Sequence, residues 1–315
     1  MLRKKKKTYQ KKKTRCKKIG RSFKGEMMVH FVNVKGILSA KNGMNIYRGC
    51  THGCIYCDSR SKCYGFTHEF EDIEVKQNAP ELLEKALRSK RKKCMIGTGA
   101  MCDPYMHCEE KLGMTRKCLE IIDRYEFGVA IHTKSDRILR DLDLLKSINE
   151  KSKCVVQMTL TTYDEALCKI LEPNVCTTKK RFETLKILHE NGIPTVVWLS
   201  PILPFMNDTK ENIEGILEYC IEANVYGIIC FGMGVTLREG DREYFYAALD
   251  KYFPGMRNRY HKKYGYAYEV TSDRNAELMQ LLYRKCKENG IVCDVNQIFE
   301  YLNEFPEKYE QLTFF

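Results

Sequence analysis

Short apolar runs alternate with longer amphipathic runs along most of the chain. Five runs rich in β-forming residues predict strands, at 94–96, 127–132, 154–160, 195–199 and 226–231. The runs between them have the helical repeat of apolar positions and predict helices, at 115–125, 137–148, 164–170, 179–190 and 210–223. Strands that alternate with helices of about ten to fifteen residues indicate parallel β/α units.

A further strand at 45–47 and a helix at 79–89 bring the number of predicted units to six. We therefore expect an α/β fold with a partial (β/α)6 barrel. In such barrels the chemistry lies at the carboxyl ends of the strands, where the loops converge. Small and polar residues follow these predicted ends: Gly97-Thr98-Gly99, Thr133-Lys134-Ser135, Thr161-Thr162, Ser200-Pro201 and Gly232-Met233-Gly234.

Charge divides the chain into three predicted regions. Residues 1–25 contain thirteen Lys or Arg and no acid, whereas the net charge of the whole chain is +12. Like charges repel one another, so we expect a disordered basic tail at 1–25. It is either an arm that binds nucleic acid or a merely solvated extension. The barrel is expected at 26–240, followed by a C-terminal extension at 241–315 that contains a helix near 276–288.

Composition excludes several classes of protein. Hydrophobic residues make up 43% of the chain and charged residues 30%. No apolar run approaches the roughly 20 residues of a membrane helix, so we expect no membrane partner. The basic start lacks an apolar stretch and does not resemble a secretory signal. The sixteen cysteines are expected to be reduced, because disulfide scaffolds are small secreted proteins, and this predicts a cytoplasmic location.

The most informative segment contains Cys50, Cys54 and Cys57 within eight residues. Three thiolates on a glycine-containing loop favour soft metals, either zinc or an iron–sulfur cluster. A cubane cluster held by three thiolates leaves one iron without a protein ligand, which a small chelating cosubstrate can occupy. The alternative is a zinc site with His52 or His68 as the fourth ligand.

The C-x3-C-x2-C spacing, with Tyr56 before the last cysteine, resembles the radical S-adenosylmethionine (SAM) superfamily. From about residue 45 to 208 the chain also looks like the spore photoproduct lyase-like group. The matching segments are Asn45 to Cys57, Asp103-Pro104-Tyr105, Thr115-Arg116, Thr133 to Ser135, Arg140 to Leu145, Leu171-Glu172-Pro173 and Ile202 to Asp208.

This resemblance implies a [4Fe-4S] cluster on the three cysteines, SAM on the open iron and an electron donor of the flavodoxin or ferredoxin type. It also implies roles for cofactor-binding residues. Tyr56 is expected near the adenine, Ser135 near the ribose or carboxylate, and the others at the SAM amino group or adenine: Gly97, Thr98, Gly99, Gly232 and Gly234. Each glycine is equally explained as a turn residue.

Other residues near the expected cavity have two interpretations each. Cys102 falls where the lyase-like group has a hydrogen-atom donor, but it is also one of many scattered thiols. Asp103 suits a polar contact to SAM or substrate, and equally an Asx turn before proline. His132 lies within an apolar strand, where a satisfied core histidine is the commoner case.

The chain ends in Gln311-Leu312-Thr313-Phe314-Phe315, which resembles the bacterial sliding-clamp-binding motif. The alternative is a hydrophobic end that docks on the protein itself. Three functions follow from the whole pattern. The favoured one is a radical SAM enzyme acting on a nucleic-acid base, in repair or modification. The others are a radical SAM enzyme acting on a peptide or small molecule, and a non-enzymatic metal protein bound to the clamp.

Overall fold

The computed structural model describes residues 28–306. Its strands are β1 (Val29–Val32), β2 (Gly43–Met44), β3 (Tyr47–Arg48), β4 (Ile73–Lys76), β5 (Met95–Thr98), β6 (Gly128–Thr133), β7 (Cys154–Thr159), β8 (Thr195–Trp198), β9 (Gly227–Ile229), β10 (Gly234–Thr236) and β11 (Glu269–Thr271). Its helices are α1 (Ala79–Ser89), α2 (Glu109–Leu112), α3 (Met114–Arg124), α4 (Leu142–Lys151), α5 (Glu165–Leu171), α6 (Thr178–Glu190), α7 (Lys210–Glu222), α8 (Asp241–Tyr252), α9 (Met256–Tyr264), α10 (Asn275–Glu288) and α11 (Val295–Asn303).

Six parallel strands form the main sheet, in the order β2-β5-β6-β7-β8-β9. Helices connect successive strands from β5 onward, as parallel pairing requires. The two outer strands do not pair with each other, so the barrel is partial and open. This confirms the predicted fold class. The central strands are buried almost throughout, because helices cover one face and the barrel lumen lies on the other.

A row of polar and aromatic side chains crosses the lumen. His132 on β6 lies beside Gln157 on β7, and the next strand contributes Trp198. The Trp198 indole Nε1 donates a hydrogen bond of 2.9 Å to Gln157 Oε1. The imidazole of His132 stacks on Trp198 with centroids 5.1 Å apart. These contacts form a layer that separates the two ends of the lumen.

Helix α11 covers the amino-terminal end of the barrel. Lys153, just before β7, donates from Nζ to the Tyr301 carbonyl at 2.5 Å. Tyr226, just before β9, stacks on the Tyr301 ring at 3.8 Å. The buried Ile298 and Leu302 pack with lumen-facing residues of the strands. The carboxyl ends of the strands therefore form the open mouth.

A smaller sheet, in the order β1-β4-β3, lies beside the barrel. It changes the prediction for the first strand: only Gly43 and Met44 join the barrel, whereas Tyr47 and Arg48 pair antiparallel with β4. The predicted strand at 45–47 is thus wrong in its bounds: residues 45 and 46 lie between the two strands, and only Tyr47 belongs to a strand, in the smaller sheet. The segment with the three cysteines leaves directly from β3 and is positioned by this smaller sheet.

The C-terminal extension is attached to the barrel at two places. Strands β10 and β11, which lie on either side of residue 240, pair antiparallel beyond the end of β9. Residue 292 pairs with β9 from the outer side. The basic tail at 1–25 and the pentapeptide at 311–315 lie outside the described residues. No helix between residues 28 and 306 is long and apolar enough to cross a membrane.

Candidate active site

The loop carrying the three cysteines begins at a position that only glycine can occupy. Gly49 has φ +90°, and a Cβ there would stand 2.4 Å from the Phe70 carbonyl oxygen. The next amide, of Cys50, donates to that same oxygen at 3.1 Å. The loop therefore starts from a fixed contact with the segment that leads into β4. A glycine is required because the two backbones approach too closely for any side chain.

The middle of the loop rests on the residues that follow α5. The Ile55 amide donates to the Leu171 carbonyl at 2.9 Å, and the Asn174 amide donates to the His52 carbonyl at 3.1 Å. The Asn174 side chain adds a third hydrogen bond, from Nδ2 to the Thr51 carbonyl at 3.0 Å. These backbone contacts fix the loop's path across the barrel mouth.

A fully buried ion pair lies beneath this contact. Arg181 on α6 donates from Nη2 to Glu172 Oε2 at 2.5 Å and from Nη1 to the Thr159 carbonyl at 2.9 Å. The Tyr56 hydroxyl donates to the other oxygen of Glu172. Burial opposes the charge on Glu172, but Arg181 and Lys134 together lower the pKa of its carboxyl. The pair thus connects the end of β7 to the cysteine loop through Tyr56.

The three thiols fit a cluster better than a single zinc ion. A tetrahedral zinc with Zn–S bonds of about 2.3 Å brings its sulfurs to roughly 3.8 Å from one another. Between residues 28 and 306, the only three Cys, His, Asp or Glu residues with donor atoms within 4.8 Å of one another are His30, His68 and Glu74. The three cysteine sulfurs therefore do not all lie within 4.8 Å of one another, as expected where each binds a different iron. Neither His52 nor His68 completes a compact zinc site with them.

Burial dominates the electrostatics of these thiols. It raises the pKa of Cys50, Cys54 and Cys57 above the ordinary value. Thiolates are therefore disfavoured until a metal replaces the protons, and metal binding here must release them. Burial also lowers the pKa of His52 to about 4, so its imidazole is neutral near pH 7.

A cavity of about 640 Å³ opens at the carboxyl ends of the strands. Cys54, Tyr56 and Cys57 form one side, and β10 and β11 form the opposite side. The floor is the layer of His132 and Trp198. The His132 ring nitrogen Nε2 bonds to Thr159 Oγ1 at 2.9 Å, and burial lowers the pKa of His132 to about 3. The histidine is therefore satisfied, as expected for a core residue, yet its ring is also part of the cavity surface.

Lys134 is the only lysine or arginine that lines this cavity among the residues the structure describes. It follows β6, and its ammonium lies 5.8 Å from the centre of the Tyr56 ring. Its backbone amide donates to Asp103 Oδ2 at 2.7 Å. Asp103 also accepts a hydrogen bond of 2.8 Å from the Tyr105 amide. This is the contact of an Asx turn, the second of the two roles expected for Asp103. Asp103 thus holds Lys134 in place rather than facing the cavity.

The structure divides the sequence-predicted residues into two sets. Tyr56, Gly232 and Gly234 line the same cavity as Cys54 and Cys57. Gly97 and Thr98 instead line a separate cavity of about 370 Å³ below the His132–Trp198 layer. Gly99 lies between the two cavities, where its backbone is close to the His132 carbonyl.

Two other predicted residues lie outside both cavities. The Ser135 side chain accepts from the Arg137 amide and begins a 3₁₀ helix. The Cys102 thiol donates to the Tyr47 carbonyl at 2.8 Å, and burial raises its pKa to about 12. In this conformation neither side chain faces the cavity where chemistry is expected. Their proposed roles in SAM binding and hydrogen donation would require a rearrangement of these loops.

The neighbouring glycines Gly97 and Gly99 provide a matched pair of substitutions. A Cβ at Gly99 would stand 1.9 Å from the His132 carbonyl oxygen, and φ is +98°, whereas a Cβ at Gly97 meets nothing within 4 Å. We expect Gly99→Ala to lower the free energy of unfolding by more than the about 1–3 kcal/mol of backbone strain alone. Gly97→Ala should change it by less than about 0.5 kcal/mol. Urea unfolding of the cluster-free proteins measures both, and equal costs would contradict the close approach.

Several residues of the site could not be predicted from the sequence. Glu172 is noticeable in the sequence only because its segment matches the lyase-like group. Arg181 is not noticeable at all, because no sequence spacing indicates that two charged residues form a buried ion pair. Trp198 has the pattern of an ordinary strand residue. Asn275, whose Oδ1 accepts from the Met233 amide at 2.7 Å, lies 42 positions beyond its partner. The one available signal is Phe231, a large apolar side chain directly before the Gly232-Met233-Gly234 turn.

Comparison with known proteins places this geometry in a family. Residues 44–220 match the family model described as the radical SAM superfamily. An uncharacterized protein of Methanocaldococcus jannaschii is 34% identical over 181 residues, which cover 57% of this chain and 67% of that protein. An uncharacterized protein of Mycobacterium tuberculosis is 26% identical over 234 residues, covering 70% of this chain and 66% of that protein. The matches thus span about two thirds of these relatives.

Among solved structures, spore photoproduct lyase complexed with dinucleoside spore photoproduct has the same fold. It superimposes with a TM-score of 0.58 over 83% of this chain and 79% of that chain, at 13% sequence identity. The family model covers more than half of the present chain, including the cysteine loop and four whole strands of the barrel, β5 to β8. The chain therefore belongs to the radical SAM superfamily, whose enzymes use a [4Fe-4S] cluster and S-adenosylmethionine.

Proposed function

We propose that this radical SAM enzyme acts on a base of a nucleic acid, in repair or modification. The observation that carries the proposal is that three aromatic side chains, those of His132, Trp198 and Phe231, form one continuous part of the cavity surface, here called the aromatic wall. Phe231 is 64% exposed although it is large and apolar. Folding alone does not account for such exposure at a cavity mouth. A planar heteroaromatic ring is the ligand that such a wall fits best, because bases stack on aromatic side chains.

The residues that hold the cofactors follow from the same cavity. We assign the cluster to Cys50, Cys54 and Cys57, and the carboxylate of SAM to the ammonium of Lys134. Gly232 and Gly234, which line the cavity, are assigned to the adenine. A cluster held by these thiolates would supply the electron for reductive cleavage of SAM to methionine and a 5′-deoxyadenosyl radical, the species that would abstract hydrogen from the substrate. Family membership contradicts the alternative of a non-enzymatic metal protein.

A basic surface next to the cavity supports a polyanionic substrate. Helix α9 carries Arg257, Arg259, Lys262 and Lys263 with no acidic residue. Two of these charges are paired with carboxylates of neighbouring segments, Arg257 with Asp250 and Lys263 with Asp273. It leads directly into β11, and the Tyr264 hydroxyl donates to the Thr271 carbonyl at 2.8 Å. Thr271 itself lines the cavity. A backbone phosphate bound on α9 would therefore lie close to a base inserted in the cavity.

The basic tail and the fold comparison add to this proposal. Residues 1–25 would supply sequence-independent affinity through release of counterions from phosphates. Spore photoproduct lyase, which shares the fold, has been solved with a dinucleoside spore photoproduct bound.

The test is SAM cleavage by the anaerobically reconstituted enzyme in the presence of single-stranded DNA, duplex DNA, RNA or a peptide mixture. We expect a nucleic acid to stimulate release of 5′-deoxyadenosine, with a response that weakens as salt is raised. Deletion of residues 1–25, and Arg259→Glu on α9, should each weaken it. Lys186→Glu, on the distant helix α6, is the matched control. Stimulation by peptides alone would favour the second function, a radical SAM enzyme of another substrate class.

Replacing Phe231 with alanine tests the aromatic wall separately from the cofactor. We expect Phe231→Ala to weaken binding of the stimulating nucleic acid by about 5- to 150-fold, the range for loss of one stacked base. Fluorescence anisotropy with a labelled oligonucleotide measures this. Tyr283→Ala, which removes another exposed aromatic ring on α10, should leave binding unchanged. Weaker SAM binding with unchanged oligonucleotide affinity would assign Phe231 to the cofactor instead.

Partners and location follow from the same chemistry. Radical SAM enzymes need an electron donor, and we propose a flavodoxin or ferredoxin. The fifteen cysteines between residues 28 and 306 are all free, which favours the reducing cytoplasm. The pentapeptide Gln311–Phe315 is proposed to bind a sliding clamp. Capture of the full-length chain on immobilised clamp, lost when residues 311–315 are deleted, would support that contact, and equal capture of both proteins would oppose it.

A further inference from the structure

A second group of potential metal ligands lies on the smaller sheet, outside the cavity. The donor atoms of His30, His68 and Glu74 are within 4.8 Å of one another. We propose that these three side chains bind one divalent transition-metal ion of the zinc class. This site is separate from the cysteine loop and does not depend on the identity of the enzyme's substrate.

The strand register brings two of the ligands together. His30 on β1 lies directly opposite Glu74 on β4 in a parallel pair, so their side chains emerge on the same face. His30 Nε2 is 4.0 Å from Glu74 Oε2. The third ligand, His68, comes from the segment before β4, and its ring meets the His30 ring edge to face at 4.7 Å. The group therefore connects two strands and the preceding loop.

Both histidines are oriented so that Nε2 can face a metal. His30 Nδ1 lies 2.9 Å from Asp72 Oδ1, and His68 Nδ1 lies 2.9 Å from the Glu69 carbonyl oxygen. A carboxylate and a carbonyl only accept, so each neutral ring donates from Nδ1 and leaves the lone pair of Nε2 for a metal. Metal-binding histidines are typically oriented in this way, with the second nitrogen donating to a carboxylate or carbonyl. This pattern is independent of the proximity of the three ligands.

The chemistry of the donors selects the kind of ion. Two imidazoles and one carboxylate form the set found at three-ligand zinc sites, where a water occupies the fourth position. Calcium and magnesium are disfavoured because they take oxygen ligands almost exclusively. The side chains of His30 and Glu74 are 34% and 19% exposed, so the site is open to solvent on one side. A metal can therefore enter without unfolding the sheet.

A metal here would also stiffen the support of the cluster loop. The loop's first contact is the hydrogen bond of 3.1 Å from the Cys50 amide to the Phe70 carbonyl. Phe70 lies between His68 and Glu74, so a metal on these two residues fixes the segment that contains it. The zinc-class ion would thus brace this segment, and its removal should make the cluster easier to lose.

The experiment uses the full-length enzyme with its cluster reconstituted, so that the three cysteines are occupied. After treatment with a mild chelator, Zn²⁺ is titrated anaerobically by calorimetry, and elemental analysis gives zinc and iron per chain. We expect one zinc per chain and unchanged iron. His68→Ala and Glu74→Gln should each weaken zinc binding more than about 100-fold, and Asp72→Asn by about 10- to 100-fold, as for a partner of a ligand. His189→Ala, which removes an exposed histidine from α6, is the control.

Two further measurements distinguish a metal on these three side chains from zinc bound elsewhere on the chain. Co²⁺ in place of zinc should give visible bands without a sulfur-to-metal charge-transfer band, because no thiolate is a ligand. Iron loss to a chelator should accelerate in His68→Ala but not in His189→Ala. Stoichiometric zinc that is unaffected by the three substitutions, a thiolate band with cobalt, or no zinc uptake at micromolar concentrations would each overturn the proposal. Circular dichroism and iron content confirm that the variants remain folded.

Discussion

The variant Cys54→Ala is expected to lose its iron–sulfur cluster and all SAM cleavage. Reconstituted wild type should hold about four irons per chain, as a cubane cluster requires, and the variant only background iron. The reason is geometric: with Cys54 removed, two thiolates remain to hold a cluster that already has one open position. Iron content, the spin-resonance signal of the reduced cluster and release of 5′-deoxyadenosine are the three measurements.

The control for this substitution is Cys94→Ala. Cys94 is a partly buried thiol just before β5, and it lies outside the cysteine loop and the cavity. This variant should keep iron and activity near those of wild type, which shows that removing a thiol is not harmful in itself. If Cys54→Ala retained a full cluster and SAM turnover, the assignment of the metal ligands would be wrong.

The second large effect is expected at the buried ion pair. Arg181→Met should lower the free energy of unfolding by about 3–5 kcal/mol, because it leaves the carboxylate of Glu172 buried without its partner. The same change removes the partner that holds Glu172 in place, and Glu172 is the carboxylate that accepts from the Tyr56 hydroxyl, so iron should also be lost faster. Urea unfolding of the cluster-free protein measures the first effect, and iron release to a chelator measures the second.

Two further variants show whether the pair acts as a unit. The double variant Arg181→Met/Glu172→Gln leaves no unpaired charge. Its loss of unfolding free energy should therefore be smaller than the sum of the losses in the two single variants. Lys186, on the same helix as Arg181, forms an exposed ion pair with Glu222 of α7. Lys186→Met should lower the free energy of unfolding by at most about 1 kcal/mol. Equal costs for Arg181→Met and Lys186→Met would contradict the role of the buried pair.

The pair also predicts a pH dependence of stability. Burial opposes ionisation of Glu172, but Arg181 and Lys134 outweigh it, so the pKa of the carboxyl is below the ordinary 4.5. A carboxyl with a lowered pKa contributes stability above pH 4.5 and loses it as pH falls through the lower value. In Glu172→Gln this contribution should be absent. Unfolding curves between about pH 6 and pH 3 should therefore converge for wild type and variant at the acidic end.

The main barrel could be predicted closely because its strands are apolar and separated by helices of ordinary length. The predicted strand at 154–160 and the observed Cys154–Thr159 differ by one residue. The first strand could not be predicted, because two-residue strands such as Gly43–Met44 have no periodicity. The predicted helix at 137–148 divides into a 3₁₀ turn and α4, where Asp141 is buried against Arg116 and Arg140.

The cysteine loop could be located from the sequence because its ligands lie within eight residues. Its surroundings could not, since they depend on contacts between distant segments. Glu172 and Arg181 look like surface charges in a helical sequence until packing removes them from water. His30 and Glu74 are far apart in the sequence, and only the register of β1 on β4 brings them together. The metal-binding cysteines can be found in a short stretch of sequence, whereas the residues that surround them are brought together only by the tertiary fold.

The pairing of residue 292 with β9 has a consequence for the behaviour of the protein in solution. An open barrel has two edge strands, and an exposed edge invites association with another chain. One edge, β2, is only two residues long, and the other is covered, with the Ile228 amide donating to the Val292 carbonyl at 2.8 Å. The barrel can therefore stay open without leaving a long unpaired strand at either of its edges.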